Sequence, residues 1–384
     1  MGQGWRWLRR CGLLTVGLLP LTTGCSNFFV PETNSGGGSG GTTIGGSGAN
    51  YVYVLNAATG SISGFLVGSM GTLTPTPNSP YTFSFVPQSA VVTRANNFLY
   101  VAGPGAIYSF GINGDGSLSG LTEEAGVSLG SEVALAVSPD GQWMFGLNTL
   151  GTTVDEWQLN QTTGALTSLP GGVYTVTGAV PVPLMLRVSP AGDYLFGALG
   201  TGGDQVFTLD TATGAVASSQ HLALNSTQTS DNSLAVDSTE SYLYIARSGT
   251  GGGVAVYAIG AGGVLSSVSG SPFAAGQGTF DVAIDGTGKY LYAANRADAT
   301  VSGYSVGTGG GLTALGGSPY KTGTTVTSLV AERSGKYLLA AAAGGGPDLS
   351  MYGFDATVAG KLDLTASAAS GSDPAGSILV ATTH

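Results

Sequence analysis

The feature that most constrains the fold of this chain is a repeat of roughly 48 residues that starts at residue 51. An aromatic residue opens the same short apolar segment in every copy, and successive copies lie 47, 45, 51, 48, 48 and 47 residues apart. The seven aromatic markers are Tyr51, Phe98, Trp143, Tyr194, Tyr242, Tyr290 and Tyr337. A steady period of this length is typical of folds assembled from one repeating supersecondary unit.

A second marker, a glycine two positions before an aliphatic residue, repeats in phase with the first. It follows each aromatic marker by 18 to 23 residues. The seven glycines are Gly71, Gly116, Gly164, Gly214, Gly263, Gly310 and Gly360. Because two unrelated patterns keep the same phase through seven copies, chance does not explain the period.

Each copy predicts four short antiparallel strands. In the clearest copy, apolar runs at 280–284, 290–294 and 301–306 are separated by turns rich in Gly, Asp and Asn, and a fourth run begins at Leu312. Connections of about five residues are too short for a parallel crossover, so neighbouring strands must be antiparallel.

The two ends of the repeat region complement each other. The first copy begins at its second strand, and residues 376–382 look like a first strand with nothing after it. Joined in a ring, the two halves make one complete sheet and remove the open edges. We therefore predict an all-β, seven-bladed β-propeller over residues 51–384, closed by pairing of the C-terminal strand with the N-terminal blade. A stacked β-solenoid is the alternative, but its repeats are usually shorter.

Residues 1–24 have the features of a signal peptide. Arg6, Arg9 and Arg10 precede a short apolar run at 12–21, which is too short for an ordinary membrane-spanning helix. The end of the segment, before Cys25, resembles a bacterial lipoprotein signal, so we predict lipidation of Cys25 and anchoring to a membrane. The alternative is an ordinary cleaved signal with an incidental cysteine. Residues 25–50, rich in Gly and Ser from residue 31 onward, predict a flexible tether.

Composition and charge argue against several classes of function for this chain. The chain has 22 acidic against 12 basic residues and a formal charge of -10, without the basic stripe that nucleic-acid binding requires. Cys11 and Cys25 are its two cysteines, so removal of the signal peptide would leave no intramolecular disulfide. The sequence shows no metal-ligand spacing and no cofactor motif in a suitable context, and we predict neither a metal nor a cofactor.

Several motifs resemble the seven-bladed propeller lactonases, the 6-phosphogluconolactonase-like family. They are the segments 138–141 (SPDG), 189–192 (SPAG) and 286–295 (GTGKYLYAAN). The resemblance implies a propeller that opens a lactone ring with water, using His, Arg and acidic side chains at the mouth of the central channel.

The sequence departs from the family where that chemistry is expected. The segment 295–298 resembles the family's Asn-Arg-Gly-His stretch but has Asp298 in place of histidine. Segment 183–186 (PLML) stands where the family often has Pro-Arg-His. The two histidines, His221 and His384, lie at neither position. Since histidine is the commonest general base near pH 7, these departures predict a retained fold with an eroded catalytic site.

Polar residues still recur where second strands end and inner strands begin, two positions that meet at the same end of a propeller channel. They include Asn56, Asn148, Gln88 and Asp231. From this group and the 295–298 segment we predict a ligand-binding mouth built by Glu132, Arg247, Asp281, Asn295, Arg296 and Asp298. The two arginines would bind an anion and the acids would bind hydroxyls or move protons. The structural alternative is that these residues only cap turns, and that the aromatic markers only pack between blades.

The sequence therefore predicts an exported protein of the bacterial cell envelope, held to a membrane through Cys25. Its predicted activity is binding of a small molecule or an envelope protein at the channel mouth. A lactone hydrolase is the first alternative, and a purely structural surface protein is the second.

Overall fold

Seven antiparallel sheets of four main strands form the fold, and two of them carry one additional short strand. The computed structural model describes residues 48–124, 132–148, 153–173, 182, 184–344, 346–371 and 378–384. The predicted signal peptide, Cys25 and nearly all of the predicted tether lie outside these residues. No helix in the described part of the chain is long and apolar enough to cross a membrane.

The sheets, or blades, follow one another along the chain. Blade 1 holds β1 (Tyr51–Asn56), β2 (Ser61–Gly68), β3 (Thr72–Pro75) and the short β4 (Tyr81–Thr82). Blade 2 holds β5 (Ser89–Val92), β6 (Phe98–Gly103), β7 (Ala106–Ile112) and β8 (Leu118–Glu123). Blade 3 holds β9 (Glu132–Val137), β10 (Trp143–Asn148), β11 (Thr153–Leu159) and β12 (Leu166–Val173). Blade 4 holds β13 (Met185–Val188), β14 (Tyr194–Ala198), β15 (Asp204–Leu209) and β16 (Val216–Leu222).

The remaining blades repeat this order. Blade 5 holds β17 (Gln228–Val236), β18 (Tyr242–Gly249), β19 (Gly253–Ile259) and β20 (Leu265–Ser267), with a 3-10 turn at Ala261–Gly263. Blade 6 holds β21 (Thr279–Ile284), β22 (Tyr290–Asn295), β23 (Thr300–Val306), β24 (Leu312–Ala314) and the short β25 (Tyr320–Lys321). Blade 7 holds β26 (Val326–Ala331), β27 (Tyr337–Ala342), β28 (Leu349–Phe354) and β29 (Leu362–Ala368). The last strand is β30 (Ile378–Thr382).

The ring closes through β30, which supplies the inner strand of blade 1. It pairs antiparallel with β1, with Ala381 opposite Tyr53 and Val380 opposite Val54. The sheet order is β3-β2-β1-β30, so the first and last strands of the chain are hydrogen-bonded neighbours. The predicted seven-bladed propeller and its mode of closure are confirmed.

The two sequence markers are in phase because they touch each other across blade boundaries. Each marker glycine lies against the aromatic marker of the preceding blade, as Gly116 does against Tyr51. A Cβ added to Gly116 would lie 2.3 Å from the Tyr51 ring. The contact at Gly71 is looser, because a Cβ there would lie 3.4 Å from the nearest atom of Tyr337. All seven glycines have φ between 74° and 78°, a region that favours glycine. Inter-blade packing of the aromatic markers, the structural alternative considered above, is confirmed.

A polar side chain just after every inner strand is hydrogen-bonded to the start of the second strand, and in blades 2 to 7 it lies in the turn between the two. In all seven blades it accepts a hydrogen bond of 2.6 to 3.1 Å from the backbone N–H of the aromatic marker. These seven residues, here called the turn caps, are Thr93, Ser138, Ser189, Asp237, Asp285, Glu332 and Thr383. Two of them belong to the Ser-Pro motifs that carry the family resemblance, so those motifs stabilise the fold.

The core lies between blades rather than in one central mass. Seven apolar clusters of described residues each combine side chains from two neighbouring blades. A single blade is a slab with two apolar faces, so it can bury both faces only against neighbours on either side. This arrangement leaves the inner strands free to surround a central channel.

Candidate functional site

The central channel contains a cavity of about 470 Å³ whose wall includes residues from all seven inner strands. Most of the wall is aliphatic or carries serine hydroxyls. Among the described residues, the charged or titratable side chains in the wall are Arg94, Arg187, Asp281 and His384. A cavity of this size suits a ligand of monosaccharide dimensions, since small-molecule pockets commonly measure 300 to 1,000 Å³.

Asp281, on β21, ties three blades together at the cavity wall. Its carboxylate accepts hydrogen bonds from the Ser233 hydroxyl of blade 5, from the Val282 N–H at 2.8 Å and from the Leu329 N–H of blade 7 at 2.6 Å. Burial raises the pKa of Asp281, and these hydrogen bonds oppose the rise because they stabilise the charged form. Asp281 is thus a structural carboxylate that also borders the cavity.

Hydrogen bonds of the same kind as those of Asp281 join two further pairs of neighbouring inner strands. In blade 2 the Ser89 hydroxyl accepts a bond of 3.1 Å from the Leu135 N–H of blade 3. In blade 7 the Ser328 hydroxyl accepts a bond of 3.2 Å from the Val380 N–H of blade 1. These inner-strand side chains hold the cavity wall in a fixed shape.

Arg187, on β13, is a cationic side chain that an inner strand contributes to the cavity wall. Its Nε donates to the Leu234 carbonyl oxygen at 3.0 Å, and no carboxylate lies within 4.0 Å of it among the described residues. The Arg187 side chain is exposed because it borders the cavity. The cavity itself is surrounded by the inner strands. Burial lowers the pKa of Arg187, and the charge of Asp281 opposes the change. Sequence reasoning missed Arg187, since one charged residue in a short apolar strand carries no distinctive pattern.

His384 lies at the end of the channel where the inner strands end. Its ring Nε2 is 3.1 Å from the Val92 carbonyl oxygen, and its backbone N–H donates to Asn96 Oδ1 at 2.7 Å. Burial lowers the pKa of His384, and the positive charges of Arg94, Arg187 and Arg333 lower it further. The neutral imidazole is therefore the dominant form at pH 7. His384 was not placed in the channel by sequence analysis, although the predicted ring closure brings the C-terminal strand to this position.

Arg247, one of the predicted anion-binding residues, is engaged by internal carboxylates. Its guanidinium forms a two-pronged ion pair with Asp231, with distances of 2.6 and 2.7 Å, and Nη2 lies 3.4 Å from Asp204. A third contact joins Nη1 to the Tyr257 hydroxyl at 3.3 Å. Burial first, and the neighbouring Asp231 second, raise the pKa of Asp204. One buried cation thus faces two acids, and burial together with the charge of Asp231 favours the protonated form of Asp204.

Glu132 begins β9 and is fully buried beside Asp155 of the same blade. Burial raises the pKa of Glu132 to about 9, and the adjacent Asp155 carboxylate adds to the rise. Gly146 makes room for the carboxyl group, since a Cβ there would lie 2.7 Å from Glu132 Oε2. Glu132 is therefore a neutral acid at pH 7 and can donate a proton in a hydrogen bond.

The segment 295–298 braces a neighbouring loop. Asn295 Oδ1 accepts from the Gly276 N–H at 2.9 Å, and Asp298 Oδ2 accepts from the Gln277 N–H at 2.7 Å. Arg296 is exposed, and its guanidinium carbon lies 4.9 Å from the centre of the Phe280 ring. Asn295 and Asp298 therefore have the turn-capping role that the sequence analysis gave as the structural alternative.

Of the six predicted site residues, Asp281 alone borders the cavity. The other five lie where second strands end or inner strands begin, as their spacing predicted, but each has the internal or surface contacts described above. Their role in ligand binding stays a prediction. Within the described ranges, no three His, Cys, Asp or Glu side chains group as a metal would require.

Fold and channel together define the class: a seven-bladed β-propeller with a ligand-sized cavity on its axis. Residues 198–315 match the family model described as lactonase, 7-bladed beta-propeller. A candidate 6-phosphogluconolactonase from Bacteroides uniformis superimposes with a TM-score of 0.68 at 20% identity, covering 83% of this chain and 96% of that one. The periplasmic gluconolactonase of Pseudomonas aeruginosa gives 0.68 at 16% identity, covering 88% and 99%. No curated protein matches the sequence.

At these identities the solved structures establish similarity of fold. Together with the family-model match, they confirm the resemblance that the sequence motifs predicted. The chain therefore has the seven-bladed propeller fold of these solved structures, and residues 198–315 are similar to the lactonase family.

Proposed function

We propose that this protein binds a small polar molecule in its central channel while a lipid on Cys25 holds it at a bacterial envelope membrane. The observation that carries the binding proposal is the cavity of about 470 Å³ with the side chain of Arg187 in its wall. Arg187 is exposed to the cavity and has no carboxylate within 4.0 Å among the described residues, so its guanidinium can pair with an anionic or polar group of a ligand.

The binding proposal is tested with a panel of monosaccharides, sugar acids and sugar lactones, titrated calorimetrically into the full-length protein in detergent. The matched variant is Ala90→Phe, because Ala90 borders the cavity and a phenyl group there would occupy part of the space open to a ligand. We expect one class of the panel to bind the wild-type protein and to lose binding in Ala90→Phe, with unchanged circular dichroism. Equal binding by the two proteins would contradict a channel site.

A lactone hydrolase is the second candidate, favoured by the neutral imidazole of His384 in the channel wall. In that reaction His384 would take a proton from water as the water oxygen bonds to the lactone carbonyl carbon. The ring C–O bond then breaks, and the leaving alkoxide receives the proton, while Arg187 stabilises the oxyanion.

Release of acid from glucono-1,5-lactone, followed in a pH-stat above the spontaneous rate, tests this second candidate. Turnover that disappears in His384→Gln and Arg187→Gln but persists in His221→Gln would support hydrolysis. The control residue His221 lies on the outer strand β16, with its ring Nε2 2.8 Å from the Gly202 carbonyl oxygen. If none of the three substitutions affects turnover, the activity does not depend on His384 or Arg187, and this candidate mechanism is wrong.

The proposed anchor is tested by metabolic labelling with a fatty-acid analogue in a bacterial host. We expect the wild-type chain to be labelled and to sediment with membranes, and Cys25→Ser to lose both properties. Labelling that persists in Cys25→Ser would show that another residue carries the lipid.

A further inference from the structure

The N-terminal side of the chain joins the propeller at one particular end, here called the tether end. The strand β1 begins there at Tyr51, and the inner strands end there, because inner and second strands are antiparallel. Asn50, the residue before β1, donates through Nδ2 to the carboxylate of Glu332 in a turn of blade 7. The residues that precede the propeller, Cys25 among them, are therefore connected to it beside blade 7.

Two neighbouring turns at the tether end carry exposed cations. These turns, 285–289 and 332–336, connect the inner strand to the second strand in blades 6 and 7. They touch each other, since a Cβ added to Gly286 would lie 3.8 Å from the Cα of Gly335. Their exposed cations are Lys289, Arg333 and Lys336. None of the three has a carboxylate within 4.0 Å among the described residues.

The two acids of these turns are buried beneath the cations. Asp285 accepts a hydrogen bond of 2.8 Å from the Tyr290 N–H, and Glu332 accepts one of 2.9 Å from the Tyr337 N–H. Because the backbone engages both carboxylates, the exposed charged side chains of the two turns are all positive.

Two exposed apolar side chains flank the same turns. Met70 is 89% exposed and Val358 is 46% exposed, and each lies in the hairpin between a third and a fourth strand. The Met70 hairpin borders the blade 7 turn, since the Tyr337 hydroxyl donates to the Ser69 carbonyl oxygen at 3.1 Å. The Val358 hairpin borders the blade 6 turn, since its Gly360 packs on the aromatic marker of that blade.

The exposed cations and apolar side chains occupy one sector of the tether end. This docking sector consists of Met70, Lys289, Arg333, Lys336 and Val358. Blades 3 and 4, on the other side of the tether end, present the exposed acids Asp140, Asp193 and Asp210. Arg94 lies between the two sectors in a groove that Asp140 also lines, so it is not counted with the docking sector. The charge on this end of the propeller is therefore divided by sector.

We propose that the docking sector rests on the surface of a membrane that contains anionic lipids. Met70 and Val358 contact the headgroup region, and the three cations lie against lipid phosphates. Exposed apolar side chains beside Lys and Arg are typical of surfaces that bind at the membrane interface. The charge of the sector and the position at which the chain joins the propeller both favour this partner.

This inference rests on the proposed lipid anchor at Cys25 and adds an orientation to it. A tether makes docking an intramolecular step, so a small surface of modest affinity is sufficient. With the tether end against the lipid, the opposite mouth of the channel is directed away from the membrane.

The test places the lipidated full-length protein in vesicles of phosphatidylcholine, with or without an equal amount of phosphatidylglycerol. Met70→Cys carries a fluorophore that spin-labelled lipids quench on contact. Ala297→Cys, an exposed position at the other end of the propeller, carries the reference fluorophore. Flotation of the vesicles reports the anchor separately, and circular dichroism melting confirms that each variant folds.

The charge requirement is tested with a matched pair of double variants. Arg333→Gln/Lys336→Gln removes one Arg and one Lys from the docking sector. Arg296→Gln/Lys321→Gln removes one Arg and one Lys from the other end, where both side chains are exposed and neither has an ion pair among the described residues.

We expect quenching at residue 70 in vesicles that contain phosphatidylglycerol, and little quenching at residue 297 in either kind of vesicle. Arg333→Gln/Lys336→Gln should shift the ratio of docked to undocked protein about fivefold for each charge removed. The control pair should behave as the wild type does. About 1 M salt should also release the sector, since the Debye length is then only about 3 Å.

The outcomes separate docking from the anchor. If the chain floats with both kinds of vesicle but quenching at residue 70 needs neither phosphatidylglycerol nor the two cations, the docking inference is overturned and the anchor stands. If Cys25→Ser still floats, and only with anionic vesicles, docking is supported and the anchor proposal is wrong. If the wild type floats with neither, both are wrong.

A second copy of the chain is the competing partner, because the acids of blades 3 and 4 have the opposite charge. Sedimentation of the wild-type protein in detergent at low salt tests this alternative. A dimer that Arg333→Gln/Lys336→Gln dissociates would assign the docking sector to self-association and overturn the membrane inference, whereas a monomer would support it.

Discussion

Glu132 shows how burial changes the chemistry of a single residue. The sequence marked it as a candidate acid at the channel mouth, whereas the structure makes it a buried neutral acid with a pKa of about 9. In the unfolded chain its pKa returns to the ordinary value of 4.5. Between these two values the folded protein holds a proton that the unfolded chain has released, so this group makes stability fall as the pH rises.

We expect Glu132→Gln to reduce that pH dependence, because glutamine keeps the shape of the protonated acid and cannot ionise. The wild-type melting temperature should fall relative to that of Glu132→Gln as the pH rises from 5.5 to 8.5. The limiting slope for one proton is about 1.4 kcal/mol per pH unit. Glu123→Gln, an exposed position on β8, is the control. A difference between wild type and Glu132→Gln that stays constant with pH would show that Glu132 is ionised in the folded protein.

Arg247 illustrates what residue patterns leave open. Its position at the end of a second strand was readable, but the choice between a ligand and an internal partner depended on Asp204, which lies on β15 of the neighbouring blade. Sequence separation gave no reason to place these two side chains together.

The contact between the aromatic marker of one blade and the marker glycine of the next packs neighbouring blades together. Gly310 is a clear example, since a Cβ there would lie 2.5 Å from the Tyr242 ring and its φ is +77°. Both the close approach and the left-handed backbone favour glycine at this position. The same glycine therefore ends a hairpin of blade 6 and receives the aromatic ring of blade 5.

We expect Gly310→Ala to lower the free energy of unfolding by about 1 to 3 kcal/mol, combining backbone strain with overlap on the ring. Gly309→Ala is the control, because an added Cβ there meets no atom within 4 Å. Denaturant titration measures both.

Combining Gly310→Ala with Tyr242→Ala should recover part of the loss caused by the first change, since the overlap disappears with the ring. Strictly additive losses in this double-mutant cycle would mean that the two markers do not interact energetically.

Closure of the ring determines the properties of the whole molecule. Without β30, the strand β1 would present an unpaired edge beside the apolar interfaces with blades 2 and 7. Exposed edges of this kind promote aggregation.

A chain ending at residue 377 should therefore aggregate or lose its cooperative unfolding transition. Fusing residues 376–384 directly before residue 48 should restore solubility and a melting temperature near that of the wild type. In the native sheet β30 ends beside the start of β1, with Thr382 opposite Val52, so the fusion forms a hairpin. Size-exclusion chromatography and thermal melts measure both chains. A truncated chain that stays monomeric and melts normally would show that closure is dispensable.

Part of the site could be predicted from the sequence because it depends on spacing within one blade. The turn caps and the bracing role of Asn295 follow from local turn geometry, which recurs with the repeat. Lys289, Arg333 and Lys336 were not predicted as a group, since their common property is a position in turns that follow the inner strands of two different blades.

The repeat by itself determined the number of blades, the four antiparallel strands in each and the half-blade at either end. These features depend on periodicity and on turn geometry, and both are determined by residues that are close together in the sequence. The tertiary structure alone decided which polar residues face the channel and which carboxylates pair with Arg247. Those properties depend on side chains from different blades meeting in space, and on the burial that sets their charge, so no single repeat encodes them.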